Sequence, residues 1–198
     1  MPIVELKGVS KAFSGKPAIE GISMAAEPGS LWVITGKSGA GKTTLVRIIL
    51  GLLKPDEGTV QYSDGKAPPL FAGTVFQEDR LCEGLDAVKN IVIATGNADE
   101  SVAGDWTDEL LGPGNRGKLA GELSGGMRRR VCILRALMSE ADILVMDEPF
   151  SGMDAETREN AFEFIMRHRN GRALIMTSHS GAGFGEFQEI RLGPTGKN

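Results

Sequence analysis

Eight residues of this chain, Gly36-Lys37-Ser38-Gly39-Ala40-Gly41-Lys42-Thr43, fit the spacing G-x-x-x-x-G-K-[ST]. Glycines so spaced let consecutive backbone N–H groups turn inward around the phosphates of a nucleotide, while the lysine reaches the terminal phosphates and the hydroxyl serves Mg²⁺. A second glycine-rich grip, Leu123-Ser124-Gly125-Gly126-Met127, lies far downstream, and a carboxylate pair, Asp147-Glu148, comes after it. Most nucleotide-binding proteins need one grip, and a single nucleotide has no evident way to use both grips of one chain. Two grips therefore narrow the chemistry well beyond nucleotide binding.

These residues need elements to aim them. Leu31-Trp32-Val33-Ile34 reads as a short buried strand leading into the first loop, and Thr43 to Leu53 as a helix leaving it, with Leu45, Ile48, Ile49 and Leu52 on one face. The helix N-terminus then points at the phosphates and adds its dipole to the anion site. Ile143 to Met146 is a continuous apolar run, typical of a strand covered on both faces. A charge directly after it, at Asp147, needs a partner, and a bound cation provides one. Glu148 comes next and emerges on the other side of the strand end, where it is able to face a water molecule as general base; the plainer reading is a helix cap or surface ion pair, which Pro149 disfavours by stiffening the exit. Ser124 introduces a helix over Gly125–Ser139, so its hydroxyl and the first N–H groups make a second anion site.

The rest of the chain supplies the frame. Strands are expected at Ile3–Val9 and Ala18–Ala26, with Phe13 alone in the polar turn Ser10–Gly15, then at Thr59–Tyr62, Gly73–Phe76 and Ala173–Thr177; Ser63–Lys66 and Pro68-Pro69 have loop chemistry. Gln77 closes the Gly73–Phe76 strand at its carboxyl end, where α/β sheets place ligands. Between Glu78 and Asp142 the strand signal disappears, and helices are read at Asp86–Thr95, Trp106–Leu111 and Gly125–Ser139. A further helix, Ala155–Arg169, places Phe162, Ile165 and Met166 on one buried face. The expected fold is α/β, one domain over 1–198, with a core from 1–77 and 143–198 and an inserted helical subdomain over about 78–142.

Taken in order, these motifs resemble the ATP-binding cassette of ABC transporters, from about Ile3 to His179. The resemblance implies a P-loop NTPase with a RecA-like core and an N-terminal antiparallel β subdomain, using ATP and Mg²⁺. It makes Gly36 to Thr43 the Walker A loop, Gln77 the Q-loop glutamine, Leu123 to Met127 the signature, Ile143 to Glu148 Walker B, Ser151 to Asp154 the D-loop and His179 the switch histidine. Lys42 and the backbone from Gly39 to Thr44 would then hold the β- and γ-phosphates, Thr43, Asp147 and Gln77 would attend Mg²⁺, Phe13 would stack on adenine, Glu148 would be the catalytic base and His179 would sense the γ-phosphate. It further implies a head-to-tail pair of copies in which each Ser124-Gly125-Gly126 closes on the ATP held by the other copy. Thr74–Leu81 looks most like ATPases of nitrate, sulfonate and taurine importers, and the Gln77–Asn90 segment, with Leu81 and Leu85, is the expected groove for a permease helix. The chain departs from the pattern at Met127, where glutamine is usual, at the loose pair Gly152-Met153, and in the glycine-rich run Ser180–Gly185.

Composition sets the outer limits. A net charge of −4 over 198 residues argues against a general nucleic-acid binder. The exception, Arg128-Arg129-Arg130, spreads around a helix and is read as a solvated face with one or two ion pairs, unless one arginine faces nucleotide or a partner. Cys82 and Cys132 lie far apart without metal spacing, and no charged and apolar leader opens the chain, which points to the cytoplasm. No apolar stretch approaches the roughly 20 residues that cross a bilayer, so transport would need separate permease subunits, a peripheral location on the membrane's inner face and, indirectly, a solute-binding protein. Two other classes fit less well: a soluble cassette ATPase working on ribosomes or DNA, and a nucleotide-gated scaffold of negligible turnover, for which Met127 is the motive.

Overall fold

The computed structural model describes residues 1–63, 71–181 and 183–193. Alternating apolar residues build the first sheet. β1 (Val4–Phe13) and β2 (Lys16–Ala26) form a hairpin, and β4 (Glu57–Tyr62) joins β1 on its other side, giving the antiparallel order β2-β1-β4. Val4 stands opposite Ala26 on one neighbour and Tyr62 on the other, and Val4, Leu6, Ile19, Ile22 and Met24 are buried. β1 runs four residues beyond the expected Val9, so Phe13 ends a strand rather than standing in a turn. The turn itself is Ser14-Gly15, both with positive φ (49° and 76°), as a two-residue hairpin requires.

The second sheet is parallel. In the first unit β6 (Ile143–Met146), β7 (Ala173–Ser178), β3 (Leu31–Thr35) and β8 (Gln188–Arg191) lie in that order. All four residues of β6 are buried, which explains its unbroken apolar run. Met146 pairs with Met176, and Met176 with Val33, so the strands reach their carboxyl ends together and the loops leaving them gather along one edge. β8 was not expected from the sequence: only Ile190 of its four residues is buried, and pairing along β3 holds the rest. α1 (Lys42–Ile49) stops short of the expected Leu53. The N–H groups of Leu52 and Leu53 both turn back to the Arg47 carbonyl, at 2.8 and 3.1 Å, behind Gly51 at φ 68°, and this closure leaves Leu52 63% exposed rather than on the buried face.

The described residues of 1–72, 142–147 and 171–198 make one compact unit, and those of 73–141 and 148–170 a second. The sequence reading divides the chain at 77/78 and 142/143. The second unit opens in β5 (Ala72–Val75) and continues through α2 (Ala87–Thr95), α3 (Glu100–Leu111), α4 (Gly125–Leu137) and α5 (Ala155–His168). Each helix starts behind an oxygen-bearing side chain, Asp86, Asp99, Ser124 or Asp154, that accepts from a backbone N–H of the first turn. Capping by Asp99 starts α3 six residues before the expected Trp106. α5 buries Ala161, Phe164 and Ile165, while Phe162 and Met166 are only half-buried. Trp106 meets Phe164 edge-on at 5.5 Å, and His168 packs its ring 4.2 Å from Trp106 and 4.3 Å from Phe164, a structural role. The loop expected over Ser63–Pro69 lies, beyond Ser63, outside the described residues, as does Ala182.

Candidate functional site

In the first unit the chain leaves β3 at Thr35 and enters the Gly36–Thr43 loop. Two glycines have no substitute here. A Cβ on Gly36 would meet the Leu192 carbonyl oxygen at 2.9 Å, and one on Gly41, at φ 97°, would land on the Ala18 carbonyl. Gly41 is also the residue before α1, so the first helical residue is Lys42 and the open N–H groups of that turn face the loop. Lys42 is 5% exposed, and its ammonium donates to the carbonyls of Gly36 at 2.8 Å and Lys37 at 3.3 Å, which holds the charge across the loop.

The Thr43 hydroxyl donates to Asp147 Oδ2 at 2.7 Å. Asp147, 2% exposed, receives its other oxygen's partner from Thr177, whose Oγ1 donates to Oδ1 at 2.6 Å. Register explains the pair: Met146 and Met176 are opposite each other, so Asp147 and Thr177, one residue on in parallel neighbours, stand side by side. Sequence reasoning paired Asp147 with a cation and missed Thr177. The signal available was a hydroxyl in an otherwise apolar strand, one step before the strand's end. His179, just past β7, is exposed and lines a cavity of about 370 Å³ with Gly36, Lys37, Glu189 and Arg191. Glu189 accepts from the Thr35 hydroxyl at 2.6 Å, and this bond first, with Arg191 in support against the opposing effect of burial, holds its carboxyl below the usual range. Phe13 is 49% exposed, with the Lys11 ammonium 5.8 Å from its ring centroid.

In the second unit Ser124 and Gly125 are exposed at the start of α4. Ser124 Oγ accepts from the Met127 N–H at 3.3 Å, so the backbone donor at the unusual position is already engaged in the cap. A cleft of about 520 Å³ is lined by Ser124, Gly125 and Gly126 together with Ser151, Gly152 and Asp154. Asp154 caps α5, and the Thr157 N–H and hydroxyl that it accepts from hold its carboxyl below the ordinary value. Glu148 is half-buried and adopts φ 49°, a left-handed backbone uncommon outside glycine, with its carbonyl accepting from the Ser151 N–H at 3.1 Å.

Gln77 does not close β5: the strand ends at Val75, and Gln77 lies two residues further on in a bend, its side chain exposed. The arginine run makes the ion pairs expected of it, Arg128 with Glu83 and Arg129 with Asp79, but it is not a solvated face. Arg129 is 7% exposed and donates to the carbonyls of Phe76 and Gln77, the latter at 2.6 Å, with Asp79 Oδ1 3.3 Å away. Arg128 reaches Glu83 and the Ala120 carbonyl, each at 3.3 Å. Arg130 donates to the carbonyls of Leu110 at 2.6 Å and Gly126 at 3.3 Å.

Residues 19–151 match the ABC transporter family model. The aliphatic sulfonates import ATP-binding protein SsuB 1 of Rhizobium johnstonii is 36% identical over 185 residues, spanning 89% of this chain and 67% of that protein. The taurine import ATP-binding protein TauB of Yersinia pestis is 34% identical over 188 residues, spanning 89% of this chain and 73% of its own length. Among solved structures, a dimeric ATP-binding cassette in a post-hydrolysis state with ADP and phosphate superposes with a TM-score of 0.83 at 26% identity, over 98% of this chain and 95% of that one. With a glycine-locked loop between β3 and α1, a buried Asp147 held by two hydroxyls and an exposed Ser124 turn, this chain belongs to the ABC transporter family, as an ATP-binding cassette that hydrolyses ATP.

Proposed function

We propose that this cassette is the ATPase subunit of a bacterial importer, acting on the inner face of the membrane through separate permease subunits, with ATP gripped between two head-to-tail copies. The observation that carries the catalytic half is the convergence of the Thr43 hydroxyl on Asp147 at 2.7 Å beside the Lys42 loop. Both are hard oxygen donors, the set that suits Mg²⁺ with phosphate oxygens and water completing the shell. Mg²⁺, when bound, would neutralise charge on the phosphates during transfer. Lys42 and the N–H groups from Gly39 to Thr44 orient the β- and γ-phosphates, and Phe13 offers adenine a ring face. Glu148 takes the proton of the attacking water, Gln77 helps hold that water and the cation, and His179 hydrogen-bonds the γ-phosphate.

The exposed Ser124 turn supports the second half of the reading. It is an anion grip at a helix N-terminus, and the related cassette with ADP and phosphate is dimeric. No helix among the described residues is long and apolar enough to cross a membrane, in keeping with a path supplied by other chains. The relatives' import of sulfonates and taurine supports an importer, with cargo chosen by the permease and its solute receptor. Leu81 and Leu85, in the 77–90 segment, are the proposed permease contacts. Mixing a Lys42→Ala chain with a Ser124→Arg chain tests the pairing: one intact composite site should restore phosphate release, and a mixture as inactive as either parent refutes it.

A further inference from the structure

One face of α4 is laid along the irregular segment 76–80. Arg129 serves the carbonyls of Phe76 and Gln77, Cys132 Sγ lies 3.0 Å from the Asp79 carbonyl, and Arg135 donates to the Arg80 carbonyl at 3.0 Å. Positions 129, 132 and 135 recur every three residues, so they share that face. Four carbonyls of this segment are thus met from a single helix, whose other end is Ser124.

Arg129 is the informative member. A buried cation is expensive, and an apolar side chain of similar volume would commonly serve stability as well or better. Its planar fork, however, is suited to two acceptors at fixed separation, and here it takes two successive backbone oxygens, with the Asp79 carboxylate balancing the charge. Fixing Phe76 O and Gln77 O fixes the peptide planes on both sides of the Gln77 Cα, and hence the direction in which that exposed side chain leaves the chain. We propose that Arg129 is a positioning residue for ATP hydrolysis: it sets Gln77 from the signature helix, so that the reach of Gln77 toward cation and water is defined by the same helix that presents Ser124. This rests on the reading of Gln77 as a ligand of Mg²⁺ and water.

The test is a double-mutant cycle of Arg129→Gln and Gln77→Ala. It is read by kcat and KM for ATP, by the Mg²⁺ dependence of equilibrium nucleotide binding, and by hydrogen exchange of the peptide spanning 76–82 without nucleotide. Arg129→Gln should lower kcat and Mg²⁺ affinity about tenfold, the size expected when an orienting partner is lost, leave the KM for ATP within about twofold, and speed exchange across 76–82. In the Gln77→Ala background the same change should slow turnover less than about twofold. If Arg129→Gln slows the Gln77→Ala enzyme by the full factor, the residue is merely structural and the proposal fails. If Gln77→Ala alone retains normal turnover and Mg²⁺ dependence, the reading of Gln77 fails and takes the proposal with it. Should Arg129→Gln not fold, Arg129→Lys keeps the charge beside Asp79 without gripping both carbonyls, and the same cycle applies.

Discussion

Thr177 is the residue through which the buried carboxylate is most directly tested. Thr177→Val keeps the side chain's outline, so it opens no cavity, but it removes the hydroxyl that donates to Asp147 Oδ1 at 2.6 Å. Thr177 is 1% exposed and Asp147 2%, so water cannot replace the lost donor without rearrangement. Hydrogen bonds to a charged group contribute about 1.5–3 kcal/mol, and stranding one partner in the interior brings a penalty of similar size. A loss of about 2 kcal/mol is therefore expected in urea unfolding without nucleotide, equivalent to a fall of about 4–8 °C in Tm for a chain of this length. Thr177→Ser separates the two parts of the side chain. It keeps the donor and deletes one buried methyl, for a loss of about 1 kcal/mol.

The functional readout should not track the same order. Asp147 keeps its bond from Thr43 in both variants, but in Thr177→Val the carboxylate is no longer held on its second oxygen. The Mg²⁺ concentration for half-maximal nucleotide binding should rise about tenfold in Thr177→Val and stay near wild type in Thr177→Ser. Two results refute the reasoning: Thr177→Val within about 0.5 kcal/mol of wild type, the scatter of a neutral substitution, or a destabilised Thr177→Val whose Mg²⁺ dependence is unchanged.

Phe13→Ala should weaken ATP binding by about 1–3 kcal/mol, the range for loss of a base–aromatic stack, with little change in unfolding because the ring is half exposed; equal affinities measured by calorimetry would place adenine elsewhere. Burial against Trp106 and Phe164 pushes the His168 imidazole below its ordinary value of 6.5, with Arg167 acting the same way and Glu109 opposing. The unfolded chain then takes the proton first, so this contribution to stability is complete above pH 6.5 and drains away as pH falls through the folded value. His168→Phe should flatten the stability profile between about pH 7 and pH 5, and an unchanged slope would assign that pH dependence to other groups. Glu148→Gly relieves a left-handed backbone that costs a non-glycine residue about 1–2 kcal/mol, offset by about 0.5–1 kcal/mol of extra freedom in the unfolded chain. Phosphate release should be lost, and turnover retained by Glu148→Gly would take the role of base away from this residue.

Much of the frame was legible because its signals are local. β6 has its expected bounds, since four consecutive apolar residues buried on both faces permit little else. The Gly36–Thr43 loop shows in its glycines because two of them stand where any Cβ collides. Boundaries failed where tertiary contacts overrode the local pattern. β1 extends through Ser10–Phe13 because β2 and the Asp56 carboxylate hold it there, with the Lys11 ammonium and Ala12 N–H donating to Asp56 at 2.6 and 2.8 Å. β8 escaped notice because a strand that buries one residue of four has no alternation to read.

The arginine run shows why the remaining part of the site was illegible. Three consecutive like charges on a helix do point around its circumference, as expected, and Glu83 and Asp79 supply ion pairs to Arg128 and Arg129, but each direction also meets backbone carbonyls: Ala120 for Arg128, Phe76 and Gln77 for Arg129, Leu110 and Gly126 for Arg130. A carbonyl belongs to every residue alike and leaves no mark on the sequence. Motifs therefore disclose side chains that would touch phosphate or cation, whose types the chemistry restricts, and conceal the groups that hold those side chains in place, for which any stretch of chain at the right height suffices. Thr177 lies on the boundary: its hydroxyl is a side-chain group, yet its meaning depends on a register of Met146 against Met176 that only the folded sheet provides. Substitutions at Arg129 and Thr177 should accordingly weaken the site's control of Mg²⁺ while leaving every motif residue in the sequence intact.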